Sequence, residues 1–152
     1  MSPDWEERKM DTDCTNYEID GWHVQFPQAW KFSMDKNQQP VQIMFDVEEE
    51  PVTVYLSTWH WQNKQTGEVA DTETVLSFFL QAFAQQGLEK VEEYCRYYPH
   101  GFTTCMGRRM TEDGYLMLSA AICTTGSALT VYFVYEEGVE IEKYLTCLRT
   151  IA

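Results

Sequence analysis

Hydrophobic and polar positions alternate in short runs along most of this chain, and turn residues separate the runs. From Val91 it reads VEEYCRYY, Pro99-His100-Gly101, FTTCMGRRM, Glu112-Asp113-Gly114, YLMLSAAICT, Thr125-Gly126-Ser127 and ALTVYFVY. Four strand-like runs joined by tight-turn signals predict an antiparallel meander. A three-residue loop at Pro99 to Gly101 sets Tyr98 opposite Phe102 and Cys95 opposite Cys105. With Gly114 left-handed in the next loop, Met106 faces Ala120 and Met110 faces Leu116. Tyr94, Tyr98, Phe102, Met106, Met110, Leu116, Leu118 and Ile122 then share one face, with Met117, Val131, Phe133 and Tyr135 on the other. Apolar side chains on both faces predict a sheet covered by helices on both sides, at least toward its middle.

Upstream, YEIDGWHVQFPQAWKF alternates around Trp22, Val24 and Phe26 and breaks at Pro27, which predicts a strand, a turn and the start of another strand or bend. VQIMFDV and VTVYLSTWHW flank Glu48-Glu49-Glu50-Pro51, a hairpin tip in water. Asp71 is placed to cap a helix running to about Gln86, with Val75, Leu76, Phe79, Ala82 and Phe83 on one stripe and Gly87 at its left-handed end. A closing helix from about Glu137 to Ile151 puts Ile141, Tyr144, Leu145, Leu148 and Ile151 on one face. Its acids lie at the start, with Lys143 and Arg149 further along, as the helix dipole favours. Within residues 1 to 16, Ser2, Pro3, Glu6 and Glu7 are arranged like the opening of a short helix. The whole chain, residues 1 to 152, reads as a single domain with residues 1 to 16 as an extension.

The chain's 152 residues, 44% of them hydrophobic, can form a core without staples. With 24 acidic and 11 basic residues the net charge is −13, so phosphate backbones and anionic lipid are repelled. Nucleic acid and membrane are therefore not expected partners, and a basic protein or peptide is. The absence of a long apolar run and the polar start predict a cytoplasmic protein, unless a leader has been removed. Five cysteines with no C-x-x-C spacing point to reduced thiols. No cofactor and no metal are expected.

The pattern Trp22, Val24, Phe26, Pro27, Trp30, then a hairpin, a helix, a meander and a closing Glu142, Leu145, Leu148, Thr150, Ile151, resembles the PsbP-like superfamily over about residues 17 to 152. That superfamily includes bacterial DcrB-like proteins, chaperones of secretion effectors among them, and a Ran-binding nuclear import factor. The resemblance implies an α+β fold, an antiparallel sheet of about six to seven strands flanked by helices. It also implies a binding or assembly role without chemistry, and it supplies no catalytic residues.

Among local features, Tyr55, Trp59 and Trp61 line one side of a strand, with His60 between the two indoles and Ser57 on the same stripe. Such aromatics concentrate in binding hot spots, which makes Tyr55, Trp59, His60 and Trp61 the candidate binding surface. Large aromatics are more often core, so a helix lying over the stripe is the default. Cys95 and Cys105 form a candidate redox pair if they are opposed. His23, His60 and His100 stand at no ligand spacing, although a histidine beside Cys105 is the arrangement a nucleophile needs. Arg108 falls on the apolar face and calls for a carboxylate, with Glu92 opposite in this register.

The expected function is a non-catalytic protein- or peptide-binding module, in the form of a secretion-effector chaperone or an immunity-type inhibitor of a basic toxin. Two readings stay open beside it. One is a small-ligand-binding protein or enzyme using the Trp and His cluster with Cys105. The other is a homodimeric structural subunit joined through exposed aromatics.

Overall fold

The computed structural model describes residues 14–35, 37, 42–47 and 49–152. Its strands are β1 (Cys14–Ile19), β2 (Trp22–Pro27), β3 (Lys31–Asp35), β4 (Gln42–Val47), β5 (Val52–His60), β6 (Glu89–Lys90), β7 (Thr103–Met110), β8 (Leu116–Thr124) and β9 (Ser127–Tyr135). The helices are α1 (Thr72–Gln85) and α2 (Glu142–Leu145), with 3-10 turns at Cys95–Tyr97 and Thr146–Thr150. Seven strands form one antiparallel sheet in the order β3-β4-β5-β9-β8-β7-β6, and β1 and β2 form a separate hairpin.

The hairpin turns on Asp20 and Gly21, both with positive φ (51° and 88°). This is the paired left-handed geometry that a two-residue hairpin loop requires and that Asp-Gly supplies. Strand alternation in β2 buries Trp22, Val24 and Phe26 while His23 and Gln25 stay exposed. Those three residues roof one sheet face, where Val52, Val54, Leu56, Leu118, Ile122, Val131 and Phe133 are buried with them. The closing segment completes the roof. Ile141, Tyr144, Leu145, Leu148 and Ile151 all enter this core, and Ala152 exchanges backbone hydrogen bonds of 2.8 and 2.9 Å with His23.

The other face holds a smaller core under α1, formed by Val75, Phe79, Phe83, Leu88, Cys105, Ala121, Cys123 and Ala128. Asp71 caps α1 by accepting the Thr74 N–H at 2.8 Å, which holds its carboxyl below the usual range. Gly87 follows the helix at φ +76°. Small residues on the strands let the helix approach closely. A Cβ on Gly107 would stand 2.9 Å from Leu88 Cβ and 3.4 Å from the Phe83 ring.

The β7–β8–β9 meander has the expected register, with Met106 opposite Ala120 and Met110 opposite Leu116, and Gly114 at φ +85°. The first run of the meander departs from expectation. Only Glu89 and Lys90 pair with β7, and after Val91 N–H bonds Met106 O at 3.0 Å the chain leaves the sheet. Tyr94, Tyr97 and Tyr98 recur at three- and four-residue spacing, the period of a helical turn and not of a strand. All three pack on the larger core from the 3-10 turn. Cys105 therefore faces Ala121, and Cys95 is exposed outside the sheet, so the expected cross-strand thiol pair is absent.

Four smaller corrections follow. Leu118 faces Phe133 and Ala120 faces Val131, so Val131, Phe133 and Tyr135 share the face of Leu118 and Ile122. Arg108 pairs with Glu93 at 2.9 Å, while Glu92 pairs with Lys90. The closing helix is one α-helical turn continued as a 3-10 turn, and Cys14 to Asn16, expected in the N-terminal extension, belong to β1. The helix expected from Ser2 and Pro3, and Glu48 of the hairpin tip, lie outside the described residues.

Candidate binding face

The open part of the sheet follows from topology. β5 lies third in the sheet and β6 lies at the far edge, so the connection between them crosses β9, β8 and β7. α1 occupies that crossing and packs on β7, β8 and, to a lesser extent, β9. Among the described residues no helix covers β3, β4 and the first half of β5 on this side. Strand alternation presents Ser33, Met44, Tyr55 and Tyr132 there in register, beside Asp46, Thr53 and Val134. Apart from the exposed Ser33, these side chains are half-buried. Burial pushes the Tyr132 phenol upward, so it remains a neutral hydrogen-bonding group.

One end of this face is acidic. An open cleft of about 440 Å³ is lined by Asp46, Val47, Glu50, Thr53, Val134 and Glu136, with Tyr115 at its side. Asp46 accepts the Thr53 hydroxyl at 3.1 Å. Glu50 is engaged by Lys143 Nζ and by the Tyr144 hydroxyl, and these hydrogen bonds hold its carboxyl below the usual range. Lys143 offsets the charge of Glu50, and Asp46, opposite Lys31 in the β3–β4 register, and Glu136 are the other carboxylates of the cleft.

The other end is aromatic. Trp59 and Trp61 stack at 6.3 Å and 20°, and Phe78 and Phe79 of α1 meet them at centroid distances of 5.4–6.3 Å. Trp59 Nε1–H donates to Thr130 Oγ1 at 3.0 Å. The helix cover expected over the stripe is therefore present at Trp59 and Trp61 and stops short of Tyr55. Phe78, at 44% exposure, extends the aromatic surface outward from the helix.

His60 does not join this surface. It sits at an even position of β5, and its ring bonds Asp20 Oδ2, the same oxygen that accepts the Thr58 hydroxyl at 3.1 Å. The His60 hydrogen bond is the main cause that lowers the Asp20 carboxyl. His23 is exposed on β2 and His100 is exposed in the loop before β7. Among the described residues no cluster of His, Cys, Asp and Glu has the geometry to hold a metal. Cys105 and Cys123 are buried, and burial pushes their thiols up to about 11 and about 12, so both stay protonated at neutral pH.

Met44, Asp46 and Tyr132 were not legible as site residues. Alternation placed each beside a buried neighbour, but only strand order shows which part of the face the helix leaves open. Among the described residues no helix is long and apolar enough to cross a membrane.

No protein-family model matches the sequence, and no curated protein matches it. Solved structures do match. A crystal structure of a protein from Bacteroides thetaiotaomicron superposes with a TM-score of 0.64 at 12% identity, over 92% of this chain and 48% of that one. This chain thus spans about half the length of that protein. The solution structure of cyanobacterial PsbP (CyanoP) from Synechocystis matches with a TM-score of 0.58 at 15% identity, over 92% of each chain. At these identities the likeness concerns the fold alone, and the antiparallel sheet with helices on its flanks gives this chain a PsbP-like fold.

Proposed function

We propose that the protein is a non-catalytic binding module whose open sheet face takes an extended basic segment of another protein, laid along β5. The observation that carries this reading is the gradation of that face. Asp46 and Glu136 stand at one end, Tyr55 and Tyr132 in the middle, and Phe78, exposed on α1 beside the covered Trp59 and Trp61, at the other. Half-buried aromatics offer contact area at little entropic cost. Lysine and arginine stems lie readily along tyrosine rings while their charged heads reach carboxylates. The net charge of −13 favours encounter with such a partner at low salt.

The secretion-effector chaperone form fits this face better than the inhibitor form, because apolar rings occupy more of it than carboxylates do. The non-catalytic reading is supported by the order of Thr58, Asp20 and His60. Hydroxyl and imidazole share one carboxylate oxygen, so the imidazole is not placed between the carboxylate and the hydroxyl it would have to activate.

Selection of random peptides on the immobilised protein, followed by amide chemical-shift mapping, tests the reading. The expected peptides combine Lys or Arg with apolar residues, shift amides of β4, β5 and β9, and bind about tenfold more weakly to Tyr55→Ala and Asp46→Asn. Shifts confined to the β1–β2 hairpin, or selection without basic bias, would overturn it.

A further inference from the structure

Alternation along β7 puts Arg109 on the face of Cys105 and Gly107, one step beyond the place where Leu88 and Phe83 close on Gly107. α1 has ended there. Gly87 reverses the chain at φ +76°, and the Leu88 N–H donates to Phe83 O at 2.9 Å. An open cleft of about 350 Å³ follows the helix end, lined by Gly87, Glu89, Arg108, Arg109, Met110 and Leu116. The neighbours of Arg109 along the chain and across the sheet are all among the described residues.

The basic groups around this cleft differ in what they hold. Arg108 pairs with Glu93 and Lys90 with Glu92, each at 2.9 Å. Arg109 stands in none of the ion pairs among the described residues, and its buried Nε–H has no hydrogen-bond partner. The chain has 24 acidic residues to 11 basic ones, so carboxylates are not scarce and the lone guanidinium reflects where the fold places it. The last turn of α1 carries no basic residue of its own, and the negative end of the helix beside the cleft favours the charge of Arg109. A buried N–H of a charged group without an acceptor costs free energy, which a ligand that supplies the acceptor recovers on binding.

The chemistry of the lining narrows that ligand. A carboxylate accepts two parallel N–H bonds from one edge of a guanidinium, and a turn of the half-buried side chain brings its Nε edge to the cleft. Glu89 is the carboxylate in the lining and repels a second negative charge, which favours a monoanion over a phosphate dianion. Met110, at 59% exposure, and the half-buried Leu116 offer an apolar wall.

We infer that this cleft is a carboxylate-binding site, in which Arg109 takes the carboxylate and Met110 and Leu116 take the short aliphatic chain that carries it. The inference stands without the peptide reading. Arg109 also shares a cross-strand row with Met117, Val134, Thr53 and Asp46, four strand spacings or about 19 Å from the last of these. The sheet face beyond α1 thus carries opposite charges at its two sides.

Titration of the full chain with acetate, butyrate and inorganic phosphate, at an ionic strength held constant with chloride, provides the test. It is read by proton–nitrogen correlation spectra that include the arginine Nε–H signals. The Arg109 Nε–H and Gly87 amide signals should shift and saturate with a dissociation constant on the order of 1–10 mM for butyrate. Acetate should bind about threefold more weakly and phosphate about tenfold more weakly. Arg109→Lys keeps the charge but loses the fork, and should weaken butyrate binding about tenfold. Glu89→Gln should narrow the gap between butyrate and phosphate. A peptide blocked at both ends and carrying one glutamate separates the sources of the carboxylate. Tighter binding of the peptide than of butyrate assigns it to an acidic side chain, the reverse to a free acid, and either supports the inference. Shifts that never saturate, that chloride alone reproduces, or that persist unchanged in a folded Arg109→Lys overturn it. The wild-type titration decides the point by itself if that variant does not fold.

Discussion

Trp59 donates its indole N–H to the Thr130 hydroxyl over 3.0 Å, and that hydroxyl in turn donates to the Ser57 carbonyl at 3.3 Å. Thr130 is fully buried. The chain of hydrogen bonds ties the end of β5 to its neighbour β9 under α1, and it separates Trp59 in role from Tyr55 on the same stripe.

Replacing Trp59 with alanine should therefore unfold the protein more readily, by about 2–4 kcal/mol, through lost ring packing and the loss of the hydrogen bond that the buried Thr130 hydroxyl accepts. Tyr55→Ala, beyond the cover of α1, should stay within about 1 kcal/mol of wild type. Urea titrations of the two variants measure the difference. Equal losses would place Tyr55 in the structural core.

Gly107→Ala tests how tightly α1 and its C-terminal turn lie on β7. The added methyl meets Leu88 Cβ at 2.9 Å, and neither β7 nor the turn can yield without breaking the pairing of Lys90 with Gly107. A loss of about 1–3 kcal/mol is expected. An unchanged urea midpoint would show that Leu88 moves freely.

Glu50 links the β4–β5 turn to α2 through Lys143 and Tyr144. Its folded pKa is depressed by those hydrogen bonds, the Lys143 bond first. The stability it contributes is therefore present above the unfolded carboxyl value, about 4.3, and is lost as pH falls through the lower folded value. Urea midpoints measured from pH 7 to pH 3 should fall more steeply for wild type than for Glu50→Gln. Identical slopes would leave this link without effect.

Tyr144 has the opposite sign. Burial first, and then Glu50, push its phenol up to about 12, and burial likewise raises Tyr98 to about 12. The stability they contribute is complete below the unfolded value of about 10 and is lost as pH rises toward 12. Stability should decline over that alkaline window, and Tyr144→Phe should soften the decline.

Thiol reactivity follows burial. Cys14 and Cys95 are exposed, while Cys105, Cys123 and Cys147 are buried with raised thiols. At pH 8 an aromatic disulfide reagent should modify two thiols quickly and the other three only on unfolding. Rapid modification of Cys105 or Cys123 would show that the sheet face under α1 opens.

Much of this arrangement was readable from the chain. Gly114 marked the β7–β8 turn, and counting outward from it gave the register of Met106 and Met110, because a two-residue side-chain period leaves few choices once a loop is set. Asp71 and Gly87 bracketed α1 through capping chemistry that is local to the chain. Asp20-Gly21 carried an equally local hairpin signal that the alternation around Trp22 obscured. The run from Val91 to Tyr98 has a strand-like composition, but its tyrosines follow a helical period, and it leaves the sheet.

The sequence by itself determined the β7–β8 register, α1 with its caps and the acidity of the chain, since each depends on residues close together in the chain or on composition. Tertiary structure alone decided that β5 pairs with β9 and that β3 remains at an edge, because strand order is set by which apolar faces bury one another at long range. That order sends α1 over one part of the sheet, with Tyr132 at the margin of its core, and leaves Tyr55 beyond the helix beside Asp46. It also turns His60 toward Asp20, away from the tryptophans on either side of it, because neighbours along a strand point to opposite faces.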